Sequence, residues 1–174
     1  MLEGMSHRTD NLVGALALAL GDGLNEVLAE SSGLRLPDAA VLNVVGQFPG
    51  GTIESARVAL GITHGGVVRV VDRLSAAGQI ERRPGPDGRS LALHLTPAGL
   101  ATWQALSGAR SAWLRDVTSR LPRDARPHVD AVVSALLAAL TPDEDVAERT
   151  CRLCDVSVCP QRRCPVTLAA EVSA

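Results

Sequence analysis

"ALGITHGGVVRVVDRLSAAGQIERRPGPDGRSLALHLTPAG", residues Ala59–Gly99, is the stretch that decides the fold. Thr63 is a good helix N-cap, and an apolar-periodic run follows it as far as Gly78. Just upstream, "TIESARVALGI" reads as another short helix, capped by Thr52 and closed by Gly61. The two helices meet across Gly61-Ile62, which is helix-turn-helix spacing. Beyond Gly78, Gln79–Arg83 and Ser90–Leu95 are β-like runs flanking "PGPDG", a turn rich in chain-reversing residues. Alternation places Leu91, Leu93 and Leu95 on one face. Thr96-Pro97 then opens a new helix, with proline suited to the first turn.

Working outward, Asp10–Glu30 reads as a broad-faced apolar helix with Thr9 or Asp10 as N-cap, ended by Ser31–Gly33. Pro37 starts a short helix carrying Val41, Leu42, Val44 and Val45, which Pro49-Gly50-Gly51 stops. Downstream, a long helix runs from Pro97 to about Arg120, "LPRDARPHVD" interrupts it, and Val129–Leu140 is strongly apolar. Thr141-Pro142 begins a charged segment that leads to the cysteines. The expected fold class is mainly α with a small β-hairpin wing: a winged helix-turn-helix between N- and C-terminal dimerisation helices. The boundaries read as 1–33 for the first dimerisation helix and 34–98 for the winged domain. Residues 99–142 are the C-terminal dimerisation helices, and 143–174 a cysteine-rich tail.

Phe48, Trp103 and Trp113 are the only aromatic residues, so the core is built from Leu, Val and Ala. All 17 basic residues are Arg. Residues 1–60 carry three Arg against seven acids, whereas 61–92 carry five Arg against three. The one basic segment is therefore the helix-turn-helix and its wing. Leu12–Gly21 has the look of a signal-peptide core, but Asp10 directly precedes it and the periodic pattern continues past it. No run reaches the ~18 apolar residues of a membrane span. The expectation is a cytoplasmic chain without structural disulfides. The four His are scattered, and neither a Ser-His-Asp set nor a carboxylate pair is evident, so no enzyme is expected.

The stretch Ala59–Gly99 resembles the core of the MarR family of bacterial transcription regulators. The shared pattern is the turn "LGIT", the helix "VVRVVDRL", then "GQIERR", "DGRS" and "LTPAG", in order and at the family's spacing. The resemblance, extended by the flanking helices, covers roughly residues 10–140. A recognition helix enters the major groove by its N-terminal end. Here that end is Thr63, His64, Gly65, Gly66 and Val67. Thr63 suits a phosphate contact and the free N–H groups an anion. His64 reaches a base edge or phosphate, or else is a solvated helix-start residue. Val67 or Val68 meets a thymine methyl, and Arg69 and Arg73 share a face toward phosphate or guanine. Arg73 has the competing reading of an ion pair with Asp72 or Glu81. The resemblance implies that Arg89 enters the minor groove, steadied by Asp87, with Arg82 and Arg83 at the wing's base. Gly65-Gly66 departs from the family, which usually has Ser, Ala or Pro there. Two reading heads ~34 Å apart require a homodimer on a palindromic operator.

Every cysteine lies in "CRLCDVSVCPQRRC", residues 151–164. Cys151, Cys154, Cys159 and Cys164 supply four soft donors, enough for a closed metal site. The resemblance does not account for them. An iron–sulfur cluster is favoured by the all-sulfur set and by Cys164-Pro165, which echoes ferredoxin runs. Structural Zn²⁺ and metal-free redox thiols are the alternatives. The tail is too short for a core of its own, so a metal would organise it, docking it on the dimerisation helices. The expected function is a dimeric repressor of double-stranded DNA, sensing redox state or iron through this centre. Its rivals are a regulator with structural zinc and a small-molecule effector, and a thiol-based redox or electron-transfer protein.

Overall fold

The computed structural model describes residues 7–85, 90–159 and 161–173. Helix α1 spans His7–Ser32, α2 Leu36–Gln47, α3 Ile53–Leu60 and α4 His64–Ala76. Strands β1 (Ile80–Pro84) and β2 (Leu91–Leu95) follow, then α5 (Pro97–Ser119), α6 (Arg126–Ala139), α7 (Glu144–Cys151) and α8 (Pro165–Ser173). A single 3₁₀ turn, Gln161–Arg163, lies between α7 and α8. The described residues are thus mainly helical with one antiparallel hairpin, as the sequence leads one to expect.

Local chemistry sets the boundaries of the reading head. Thr52 Oγ1 accepts from Ser55 N at 3.2 Å and Thr63 Oγ1 from Gly66 N at 3.2 Å, so both helices start on the residues that can satisfy their free N–H groups. Gly61 closes α3 at φ 64°, a left-handed conformation that glycine adopts without steric cost. At the other end of the chain's first helix the expectation shifts. Helix α1 already includes His7, so Asp10 lies in its first turn, where its charge suits the helix dipole, instead of capping it.

The hairpin pairs Ile80 with Leu95 and Pro84 with Leu91. Leu91, Leu93 and Leu95 do not share one buried face: Leu91 is exposed while Ala92 and Leu93 are both buried. A third short partner pairs the free edge of β2: Gly50 N donates to Leu93 O at 3.0 Å, Leu93 N to Gly51 O at 2.9 Å, and Thr52 bridges to Ala92. Helices α2, α3 and α5 also lie against β2.

Leu28, Val41, Leu42, Val67, Val71, Leu74, Leu93 and Leu106 are the largest wholly buried side chains. They join α1, α2, α4, β2 and α5 into one core, so the reading head is fastened to the long helices. Helix α1 packs along α5, with the Trp113 ring against Gly23. Otherwise it is open: Leu12, Leu16 and Leu18 are exposed, and Leu28 is its one buried residue. Contrary to the sequence expectation, α1 is long and apolar enough by length and composition to cross a membrane, and is the one such helix among the described residues. Its few charges are spread widely enough to leave an 18-residue apolar window, of which 6% is buried.

The tail also differs from expectation. It folds as α7, the 3₁₀ turn and α8, and it joins existing layers. Helix α7 lies on α3 and α8 lies on α6. Leu153 enters the main core, and Cys164, Val166 and Ala170 are buried. The segment does not rely on a core of its own, because Leu153 joins the main core and α8 is covered by α6.

Candidate nucleic-acid interface and cysteine corner

The start of α4 is open. Thr63, His64, Gly65 and Arg69 are exposed, and no carboxylate among the described residues pairs with Arg69. A Cβ at Gly65 would meet nothing within 4 Å, so the helix start has clear space in front of it. Gly66 is half-buried beside Ile62 and Thr63.

Val67 corrects a sequence expectation. Its side chain is wholly buried, because 67, 70, 71 and 74 fall on one helical stripe and all four pack into the core. It cannot touch a thymine; Val68, half-buried, is the valine nearer the surface.

Arg73 is engaged, but with neither carboxylate named from the sequence. Its Nε and Nη2 donate to Asp38 Oδ1 at 3.0 and 2.8 Å. The Asp38 side chain is only 7% exposed. Pulling Arg73 away would leave a buried carboxylate with one distant partner, Arg35 at 3.8 Å. Arg73 therefore fastens α4 to α2. Arg82 and Arg83 are different. Arg82 pairs with Asp72 at 2.6 Å and Arg83 with Glu81, all on open surface. Such pairs contribute about 0–1 kcal/mol and exchange readily for a phosphate. Arg89 and Asp87 lie outside the described residues.

The four cysteines, all free thiols, gather where α7 ends and α8 begins. Cys154 N donates to Cys151 O at 2.8 Å, which closes a tight turn. The thiols associate in twos. Cys154 is lowered to about 6, first by the hydrogen bond from Cys151, with burial opposing and the charges of Arg110 and Arg152 assisting. Cys151 is raised by that same bond, then by burial and by the charge on Cys154. Cys159 is raised by burial and then by Cys164. Burial works against the Cys164 thiolate, but the Thr167 and Val166 N–H groups at the start of α8, the Thr167 hydroxyl and Cys159 together hold it below the usual thiol range. In each pair one thiol is thus favoured as donor and its partner is shifted toward the thiolate. No three Cys, His, Asp or Glu side chains among the described residues stand close enough to hold a single ion in this arrangement. The chemistry can be read directly: in metal-free protein, iodoacetamide should modify Cys154 ahead of Cys151. Its rate should rise through about pH 6, because the thiolate is the nucleophile. A midpoint at about pH 8 or above, determined by peptide mapping, would refute the pairing.

Two residues that sequence reasoning missed hold this corner. Asn43 of α2, 3% exposed, donates through Nδ2 to the carbonyls of Arg152 at 3.2 Å and Cys154 at 3.1 Å. Its Oδ1 accepts from Trp103 Nε1 at 2.9 Å. The available signal was a lone amide inside "VLNVV", an apolar run that buries it. Beside Asn43 a cavity of about 340 Å³ opens between α2–α3 and the tail, walled by Phe48, Ala59, Ala147, Cys151 and Val166 among others. Glu148 lines it, its carboxyl raised by burial and then by Asp145 and Glu144.

Residues 32–90 match the MarR family model. No curated protein sequence matches the chain. Among solved structures, FabT of Streptococcus pneumoniae in complex with DNA is similar at 18% identity and TM-score 0.68, over 76% of this chain and 96% of that one. MepR, a transcription regulator of the Staphylococcus aureus multidrug efflux pump MepA, is similar at 17% identity and TM-score 0.66, over 76% and 98%. A mutant MarR from E. coli complexed with operator DNA gives 21% identity and TM-score 0.58, over 72% and 93%. These likenesses establish the fold. The family match ends before the cysteine tail begins.

Proposed function

We propose that this chain, whose residues 32–90 match the MarR family model, is a MarR-type cytoplasmic homodimeric repressor that grips double-stranded operator DNA and takes its input from the cysteine tail. It is a regulator, not an enzyme. The observation that carries the reading is the uncovered start of α4. There Thr63, His64, Gly65 and Arg69, which has no carboxylate partner among the described residues, stand beside a hairpin whose Arg82 and Arg83 hold only surface partners. Two similar structures are described with DNA bound. A helix N-terminus with guanidinium groups flanking it is complementary to phosphate. The exposed apolar residues of α1, with Val132 and Val133 of α6, suit a second copy of the chain. Burial in a dimer accounts for the composition of α1 without a bilayer.

For the input, a metal centre held by all four cysteines is the preferred reading, iron–sulfur ahead of Zn²⁺. Its support is the gathering of four free thiols, two of them biased toward thiolate, at one corner. Arg110 Nε is buried there without a hydrogen-bond partner, and its charge already favours the Cys154 thiolate. That cation suits an anionic thiolate-bound centre. Binding would require the two thiol pairs to close on each other. The pairing itself favours a second reading, reversible disulfides Cys151–Cys154 and Cys159–Cys164.

The test is fluorescence anisotropy with genomic DNA fragments across a salt series, on anaerobically purified protein. Sequence-selective binding whose affinity falls steeply with salt is expected. Its absence overturns the repressor reading. Bound iron with visible charge-transfer absorption supports the cluster, and colourless protein with bound zinc supports the structural site. If Cys→Ser at all four positions leaves operator affinity unchanged in reduced and oxidised samples alike, the tail is not the input.

A further inference from the structure

The sequence leads one to expect the tail to act through the dimerisation helices. The contacts reveal a second, shorter route. Helix α7 lies on α3, and the Arg149 side chain crosses Gly61, the residue that turns α3 into α4. The turn that ends α7 is held from beneath by Asn43. That amide commits its donor group to two features of the cysteine turn, the Arg152 and Cys154 carbonyls. Its acceptor is taken by Trp103 of α5, whose ring lies over Gly46, one turn along α2; a Cβ there would stand 2.6 Å from the ring.

The arrangement is costly unless complete. A buried amide that loses its partners forfeits more than the hydrogen bonds gave. Asn43 is only 3% exposed, with buried Ala39, Ala40, Leu42 and Val45 on the same helix. A change in the path of the backbone between Cys151 and Cys154 must therefore drag α2 with it, or break these bonds. Helix α2 also carries Asp38, which grips Arg73 of the recognition helix. The chain of contacts runs from cysteine turn to Asn43, along α2 to Asp38, and across to α4, all within one subunit. The cavity of about 340 Å³ beside Asn43 gives α7 room to settle toward α2 and α3.

We propose that Asn43 is a positioning residue that transmits the state of the cysteine turn to the recognition helix of its own subunit, with Trp103 holding the amide in register. This rests on the reading of the tail as the input.

The test uses full-length protein as Asn43→Asp and Trp103→Phe. Asn43→Asp keeps the acceptor for Trp103 but sets a carboxylate against two carbonyls. Trp103→Phe keeps an aromatic ring at this position but removes the N–H together with part of the indole. Each is stripped with chelator, or loaded either by anaerobic reconstitution with ferrous iron and sulfide or with Zn²⁺ alone. Metal content and operator affinity are then measured in both states. Wild type is expected to show a loaded-to-stripped affinity ratio in the usual range for coupled sites, about 5–150-fold. The variants should retain metal stoichiometry and stripped-state affinity while the ratio falls to about twofold or less. A merely structural residue would instead weaken both states alike. If Asn43→Asp does not fold, Trp103→Phe decides alone. Wild-type coupling that persists unchanged in Trp103→Phe overturns the role assigned here. No coupling in wild type overturns the metal input itself, a separate failure.

Discussion

Arg69→Ala and Arg73→Ala, four residues apart on one helix, should give opposite phenotypes. Arg69 is exposed and has no carboxylate partner among the described residues. Its removal should leave stability within about 0.5 kcal/mol, as for other open surface sites. Operator affinity should fall on the order of tenfold or more. The salt dependence separates two contact types: a lost phosphate contact lowers the slope by about one per subunit, whereas a lost base contact relaxes specificity at one position. Arg73→Ala strands the Asp38 carboxylate, whose side chain is 7% exposed. Removing one partner of a fully buried pair costs about 3–5 kcal/mol. Here Arg73 is itself 47% exposed and Arg35 stands 3.8 Å from the same carboxylate, so about 2 kcal/mol is expected. Urea unfolding should show the loss as a lower midpoint at unchanged slope. Wild-type stability in Arg73→Ala would remove the clamp between α2 and α4. Wild-type affinity in Arg69→Ala would take away the principal contact of the proposed interface.

Gly99→Ala should be the most damaging alanine among the described glycines. A Cβ there falls on the carbonyl oxygen of Gln79, a backbone atom that no rotamer change can move. That carbonyl accepts from Thr96 N at 3.1 Å, Thr96 Oγ1 donates to Gly78 O at 2.5 Å, and Gly99 N donates to Thr96 Oγ1 at 3.0 Å. Three bonds therefore sit on the contact that the methyl would force open, where the hairpin meets the first turn of α5. Overpacking costs about 1–3 kcal/mol where side chains can yield, and here none can, so a loss of about 3 kcal/mol or more is expected. For a chain of this size that lowers Tm by roughly 6–12 °C. Gly65→Ala is the control. Its Cβ meets nothing within 4 Å, and alanine gains roughly 0.5–1 kcal/mol over glycine in a helix. Equal stability in the two variants, by calorimetry, would refute the close approach.

The reading head was legible because its signals are local. Thr52, Thr63 and Gly61 act on residues within one turn of themselves, so their chemistry is written beside them. Val67 was misread, because its nearness to the helix start was weighed above the apolar stripe 67-70-71-74 that buries it. What the sequence hides is the identity of distant partners. Asp38 reads as an acid in a first turn, and only the fold brings Arg73 to it from 35 residues away. Asn43 stands 111 residues from the Cys154 carbonyl it holds. Periodicity reports that a position is buried, not which group it meets there. The tail was misjudged for the same reason: its apolar residues are too few for a core, but Leu153 and Val166 find places in walls that other segments provide.

Thr52 performs two tasks at once, capping α3 with its hydroxyl while its backbone bridges Ala92 in the wing. The wing and the helix pair are consequently geared together, and neither can swing without uncapping the other. On the operator proposed above, adjustment to curved or straight DNA would have to be made further back, at the pivot where the long helices meet the head. Each head then behaves as a stiff tooth, and a small rotation at that pivot displaces all of its contacts together.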